Sequence, residues 1–211
     1  MMLYGRLSSI NVQKVAWCLN ELGRVHGRDY ERIDAGLHYG VNHSAEYLAM
    51  NPTGLVPTLV DGNFVLWESN AIVRYLAASA NSPLFPADLQ LRASADRWMD
   101  WASGTLWATL RETFVGLTRT AEDKRDLVRI KAAFDSASKM LVILDRQLGT
   151  SRYCAGSELT MGDIPLALTV HRWAGLADRF PQHLGTRPIY AHLERWYQGI
   201  AERPQFQASL A

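Results

Sequence analysis

The sequence predicts two domains of different class, an α/β half over residues 1–80 and an all-helical half over 89–211, joined by a linker at 81–88. Three observations carry that expectation. Up to Ala80, short strand-like runs alternate with segments of helical spacing. Asn81-Ser82-Pro83-Leu84-Phe85-Pro86 is a proline-marked break. From Leu89 onward strand-like alternation disappears. A chain of 211 residues has room for two compact units, each with its own core.

Met2–Tyr4 is the first strand-like run, and the segment after it places Val15, Cys18, Leu19 and Leu22 on one helical face. Asn11 is expected to cap that helix and Gly23 to stop it, while Cys18 reads as core. Further strand-like runs lie at 30–33, 56–60 and 64–67. Asp61-Gly62 between the last two is a hairpin signal, so they should be antiparallel neighbours. Ser69 is placed to cap the next helix. In the second half, helices are expected after Asp88, after Thr120 through a Thr-Ala-Glu-Asp capping box, after Thr160 and near Pro188. Ile189, Leu193, Trp196 and Ile200 form the apolar stripe of the last one. Thr160 and Asp163 fit another capping box, with Leu159 and Ile164 as its hydrophobic staple, and are assigned to folding.

Composition excludes several classes. Hydrophobic residues make up 48% and charged residues 20%, the balance of a folded globular chain and not of a disordered one. The formal net charge is +1 and no segment concentrates Lys and Arg, so nucleic acid is not an expected partner. Two cysteines, Cys18 and Cys154, cannot build a disulfide framework or an all-Cys zinc site. The six histidines show no metal-ligand spacing. The N-terminal stretch has neither a basic leader nor a long apolar run, and the expectation is a cytoplasmic protein without a membrane partner.

The turn after the first strand, Leu7-Ser8-Ser9-Ile10-Asn11-Val12-Gln13-Lys14, brings hydroxyls and an amide to the positive end of a helix, where anions bind. Lys14 in that region is electrostatically disfavoured, which hints at an anionic ligand; a solvated surface lysine is the plain alternative. A β-α-β unit, a helix, an antiparallel pair and a helix follow one another in the order of a thioredoxin-like domain. Redox members of that fold carry Cys-x-x-Cys in this turn. Here the turn holds serines, so any thiol must come from a ligand.

The chain resembles the cytosolic glutathione transferase family over nearly its whole length, and a bacterial theta- or nu-like serine-type member in particular. The resemblance rests on Leu3-Tyr4 with Ser9 six residues before Val15, on Asn51-Pro52-Thr53-Gly54-Leu55-Val56-Pro57-Thr58-Leu59, on Trp67-Glu68-Ser69-Asn70-Ala71-Ile72 and on Arg74-Tyr75-Leu76. In the second half it rests on Ala95-Asp96-Arg97-Trp98 and on Ser157 through Ile164. It implies glutathione as co-substrate, no metal, and a thiolate that attacks a small apolar electrophile in detoxification. Ser9 and Asn11 become the thiolate donors, with Ser8 a competitor for the first role. Lys14, Val56, Pro57, Glu68 and Ser69 become glutathione-binding residues, Pro57 through a cis bond that turns the Val56 backbone toward the ligand. A homodimer is implied, with Asp96 of one subunit reaching the glutathione ammonium of the other. Leu7, Trp101 and Trp107 are assigned to the electrophile pocket, although core or dimer surface is the commoner fate of such tryptophans.

One departure stands out. Where many members place Lys or Gln before the Val-Pro pair to hold the glycyl carboxylate, this chain has Leu55, leaving His38, His43 and Asn51 as substitutes. Two other functions share the resemblance: a glutathione-dependent disulfide or peroxide reductase, and a non-catalytic glutathione-binding module. The set Ser9, Asn11, Glu68 and Ser69 argues against the second.

Overall fold

In a computed structural model describing residues 1–210, the chain forms two compact units: residues 1–86 with those from Ala201 on, and residues 87–200. The first unit is built on a four-stranded mixed sheet of order β2-β1-β3-β4, made by β1 (Met2–Tyr4), β2 (Glu31–Ile33), β3 (Thr58–Asp61) and β4 (Phe64–Trp67). β1 runs parallel to β2 and antiparallel to β3, with Leu3 opposite Arg32 and Leu59. β3 and β4 form the expected hairpin, Asp61 facing Phe64 across the turn. β3 starts at Thr58, two residues later than the sequence pattern predicts, because Val56 and Pro57 lie outside the ladder in a cis peptide.

Helix α1 (Ile10–Glu21) buries Val12, Val15, Trp17, Cys18 and Leu19 against that unit's core. Its N-cap is Ser9, not Asn11, which is the second residue of the helix. Gly23 ends it in the left-handed region at φ +68°, where a glycine is free of steric cost. A short helix α2 (Ala45–Met50) is capped by Ser44, whose hydroxyl accepts from the Tyr47 N–H at 3.2 Å. Helix α3 (Ser69–Ser79) packs on α1, burying Ile72, Val73, Leu76 and Ala77. Its cap is Glu68, so Ser69 is the first residue inside the helix and not the cap.

The second unit holds α4 (Leu89–Trp101), a five-residue π turn (Ala102–Leu106), α5 (Trp107–Thr118), α6 (Leu127–Thr150), α7 (Asp163–Arg179), the short α8 (Pro181–Leu184) and most of α9 (Ala191–Ala201). Thr120 does not open a helix. Its hydroxyl donates back to the Val115 carbonyl at 3.2 Å, and α6 begins at Leu127 under Asp126, whose carboxylate accepts from the Arg129 N–H at 3.0 Å. Ile189 also departs from the expected stripe: it precedes α9 and is exposed, while Leu193, Trp196 and Ile200 are buried.

Thr160 and Asp163 behave as the sequence predicts. The fully buried Asp163 carboxylate accepts from the Thr160 N–H (3.0 Å) and hydroxyl (3.1 Å), from the Cys154 N–H (2.9 Å) and from Trp196 Nε1 (3.1 Å). One side chain thereby joins the start of α7, the preceding loop and α9.

The assignment of everything after residue 88 to the helical domain needs correcting at its end. α10 (Pro204–Leu210) belongs to the first unit and packs on α1. The cause is a specific set of contacts: Phe206 meets Trp17 edge-on at 4.8 Å, and Arg203 grips Glu21 through two bonds of 2.8 and 2.6 Å. Trp17 Nε1 donates to the same carboxylate at 2.8 Å, and Asn20 Nδ2 donates to the Gln205 carbonyl at 3.0 Å.

Candidate functional site

The N-terminus of α1 has two features of an open anion or thiolate site. Ser9 caps the helix through its backbone, its carbonyl accepting from the N–H groups of Val12 and Gln13 at 3.0 and 2.9 Å. Its hydroxyl makes no capping bond, although serine at this position ordinarily caps the next turn. That hydroxyl is half-buried and uncommitted. Ser8, its competitor, is exposed and engaged elsewhere.

Asn11 and Ser69 lie in separate stretches of sequence, and the fold brings them together: the Ser69 hydroxyl donates to Asn11 Oδ1 at 3.4 Å. The start of α1 therefore faces the start of α3. Glu68, the residue capping α3, is exposed at φ +71°, a left-handed conformation that costs a non-glycine residue about 1–3 kcal/mol and collects at functional positions. Lys14 is not the solvated lysine of the plain alternative, being only 3% exposed. Burial lowers its pKa to about 8, and the nearby Glu68 carboxylate opposes that shift.

The Val56–Pro57 stretch is held against the turn from beneath. A Cβ on Gly5, whose φ is +148°, would come within 2.4 Å of a Val12 methyl and 3.3 Å of Val56 Cβ, so only glycine lets the β1–α1 turn close on both. A polar scaffold fixes the neighbouring carbonyl. Leu55 C=O accepts from the Tyr47 hydroxyl at 2.5 Å and from Asn51 Nδ2 at 2.9 Å, and Thr58 Oγ1 donates to the Tyr47 hydroxyl at 2.8 Å. Asn51 Oδ1 is taken by the Thr53 N–H and hydroxyl. Asn51 is thus consumed in shaping the loop, which removes it as a substitute for the missing Lys or Gln.

His43 is better placed. Its Nε2 lies 3.3 Å from Asn42 Nδ2, which also donates to the Gly54 carbonyl at 2.6 Å, and its Nδ1 lies 4.0 Å from where a Cβ on Gly54 would sit. If Nε2 accepts from Asn42, the proton resides on Nδ1, on the side of Gly54. His38 is exposed and lies tilted against Tyr39, with ring centroids 4.1 Å apart. Asn42, buried and next to His43, escaped the sequence reading because the segment between the second strand and Tyr47 carries no periodic signal.

In the second unit, Asp96 sits half-buried on α4 and is engaged in interactions there. Trp101 meets Trp98 edge-on at 5.4 Å and, with Arg97, Ile143, Arg146, Gln147 and Thr150, lines a cavity of about 540 Å³ along α4 and α6. Trp107 does not line that cavity but lies beside Phe114, 5.6 Å away, on α5. The two tryptophans expected in one pocket are therefore apart. Leu7, in the first unit, is half-buried in the turn before Ser9.

The chain's own thiols are unsuited to attack. Burial, with the Glu21 charge adding to it, pushes Cys18 up to about 12, and burial beside Asp163 raises Cys154 well above the usual thiol range. A nucleophilic thiolate at the uncommitted Ser9 hydroxyl must be supplied by a ligand. Among the described residues no group of three or more His, Cys, Asp or Glu side chains is placed to hold a metal ion, and no helix is long and apolar enough to cross a membrane.

Comparison with known proteins identifies the family. Residues 1–78 match the family profile of the glutathione S-transferase N-terminal domain, and residues 99–204 that of the glutathione S-transferase C-terminal domain. The chain is 40% identical to glutathione S-transferase GstB of Escherichia coli over 205 residues, covering 96% of this chain and 93% of that one. It is 32% identical to glutathione S-transferase 3 of Zea mays over 219 residues, covering 99% and 92%. The crystal structure of a theta class glutathione S-transferase from Xanthomonas axonopodis pv. citri with glutathione bound superposes with a TM-score of 0.89 at 40% identity, covering 99% of this chain and 96% of that one.

Proposed function

Because this chain belongs to the glutathione S-transferase family, we propose that it binds glutathione along the facing starts of α1 and α3 and activates its thiol through Ser9. The observation that carries this reading is the Ser9 hydroxyl, set at a helix N-terminus and spent on no cap.

The chemistry asks little more of the protein. A free thiol with pKa ~8.5 is a few per cent ionised at neutral pH, and lowering it by ~2 pH units takes ~2.7 kcal/mol. A hydrogen bond to a charged acceptor contributes ~1.5–3 kcal/mol and a helix N-terminus ~0.3–1 kcal/mol. Ser9 with α1 therefore supplies enough. Asn11 Nδ2 is a second donor. The thiolate sulfur then forms a bond to an electrophilic carbon, and a leaving group departs with the bonding pair, or an addition product takes up a proton from water. No metal and no general base enter.

The rest of the tripeptide is assigned to the neighbouring elements. The γ-glutamyl carboxylate goes to Ser69 and the first N–H groups of α3, and the adjacent ammonium to Glu68. The cysteinyl backbone pairs with Val56, which Pro57 and the Tyr47–Asn51–Thr58 scaffold hold outside the ladder. The glycyl carboxylate reaches His43. Lys14 contributes positive charge from beneath. The working form is a cytoplasmic homodimer in which Asp96 of the partner subunit approaches the glutathione ammonium.

Calorimetric titration with glutathione, together with steady-state conjugation of an activated aryl halide, tests this reading. Saturable binding to the wild type, much weakened in Ser69→Ala, supports it; no binding and no conjugation by the wild type would refute it.

A further inference from the structure

The Ser69–Asn11 contact has a property that neither residue has alone. A hydroxyl carries one proton, and in this structure Ser69 gives it to Asn11 Oδ1 across a long 3.4 Å bond. On the proposed reading, on which this argument rests, the same proton is wanted by the γ-glutamyl carboxylate. A charged acceptor forms a bond roughly twice as strong as a neutral amide carbonyl does, so the carboxylate wins the competition.

We infer that Ser69 is a latch on Asn11: binding of the γ-glutamyl carboxylate draws the Ser69 proton away, releases the Asn11 side chain and lets its Nδ2 turn to the sulfur. Ser69 acts on the thiol as a positioning residue, through Asn11, in addition to touching the ligand. The device links recognition of one end of glutathione to activation at its middle. A thiol that lacks the distal carboxylate meets a latched Asn11 and is activated by Ser9 and the helix terminus only. Two charged groups on the same two elements, Lys14 of α1 and Glu68 at the cap of α3, interact electrostatically with each other.

The test uses γ-aminobutyryl-cysteinylglycine, which keeps the ammonium and lacks the terminal carboxylate. The ionisation midpoint of each bound thiol is read from the ultraviolet absorbance of the thiolate, at saturating ligand. This readout does not register the titration of Lys14, which falls near pH 8. On the wild type the analogue's midpoint should lie above that of glutathione by up to ~1–2 pH units, the worth of one hydrogen bond to a charged acceptor, reduced by the loss of the carboxylate charge. In Asn11→Ala the gap should close, while Ser69→Thr, which keeps the hydroxyl, should retain it.

The sign is diagnostic. Removing a nearby negative charge, with no latch, lowers the midpoint of a neighbouring thiol. An analogue midpoint equal to or below that of glutathione on the wild type overturns the inference, as does a gap that survives in Asn11→Ala. A third arm needs no analogue: in Ser69→Ala saturated with glutathione, Asn11 is permanently released, and a midpoint raised above the wild type overturns the latch. Failure of the wild type to bind glutathione at all is a different result and removes the proposed function itself.

Discussion

Replacing Ser9 by alanine is the sharpest test of how the thiol is activated. The substitution leaves α1 intact, because Ser9 caps it through its carbonyl and not its hydroxyl. Loss of helix stability, which commonly confuses a Ser→Ala change at an N-cap, should therefore be small. What disappears is one donor to the sulfur, worth ~1.5–3 kcal/mol, or ~1–2 pH units at 1.36 kcal/mol each. The helix terminus survives, and Asn11 substitutes in part, so the rise in the midpoint should fall toward the lower end of that interval. The assay is the pH dependence of kcat/KM for conjugation, run beside the thermal midpoint of the variant. An upward shift of the pH midpoint with Tm little changed is the expected pair of results. Adding Asn11→Ala should deepen the loss beyond that of either single change. A Ser9→Ala enzyme with unaltered rate and midpoint, set against an inactive Asn11→Ala enzyme, would falsify the assignment and make Asn11 the sulfur partner.

Three further outcomes are expected. Lys14 loses its proton at about 8 in the folded chain and at 10.5 when unfolded, so between those values the unfolded state binds more protons and stability rises with pH; Lys14→Met should accordingly stabilise the ligand-free protein at pH 7, by up to about 3 kcal/mol in denaturant titrations, with the advantage fading toward pH 10.5. His43→Ala should raise KM for glutathione severalfold and leave that for γ-glutamylcysteine amide, which has no glycyl carboxylate, unchanged; equal effects on both would remove His43 from that contact. Asp163→Asn puts an amide, with its own hydrogens, where four donors converge, and should cost about 2–4 kcal/mol by chemical denaturation.

Much of the architecture was legible because local chemistry and tertiary packing agree there. The Asp61-Gly62 hairpin, the Gly23 stop and the Asp88 cap each follow from one or two residues, and the structure contains them. The misread positions are those where two residues could serve one role. Ser9 and Asn11 both favour a cap, and Glu68 takes a left-handed cap that sequence would give to glycine or asparagine, leaving Ser69 inside the helix. Thr120 and Asp126 likewise compete, and the later residue opens α6. For the candidate site, Ser9, Asn11, Glu68 and Ser69 could be named from motif spacing, but the Asn11–Ser69 contact joins positions 58 residues apart and has no local signal. The scaffold of Tyr47, Asn51 and Thr58 was hidden for the same reason.

The return of α10 to α1 sets an order of events during synthesis. Trp17 and Glu21 leave the ribosome early, yet their partners Phe206 and Arg203 come after the whole second unit has been made. The helix whose first turn carries Ser9 and Asn11 therefore waits, with an apolar tryptophan face uncovered, while more than half of the chain is still being translated. A stalled or nicked chain lacking residues 203–206 keeps every residue of the proposed glutathione site in the first unit and loses the support beneath it. Chains ending at residue 202 should leave this half of the protein sensitive to proteolysis, and chains extending through residue 210 should make it resistant.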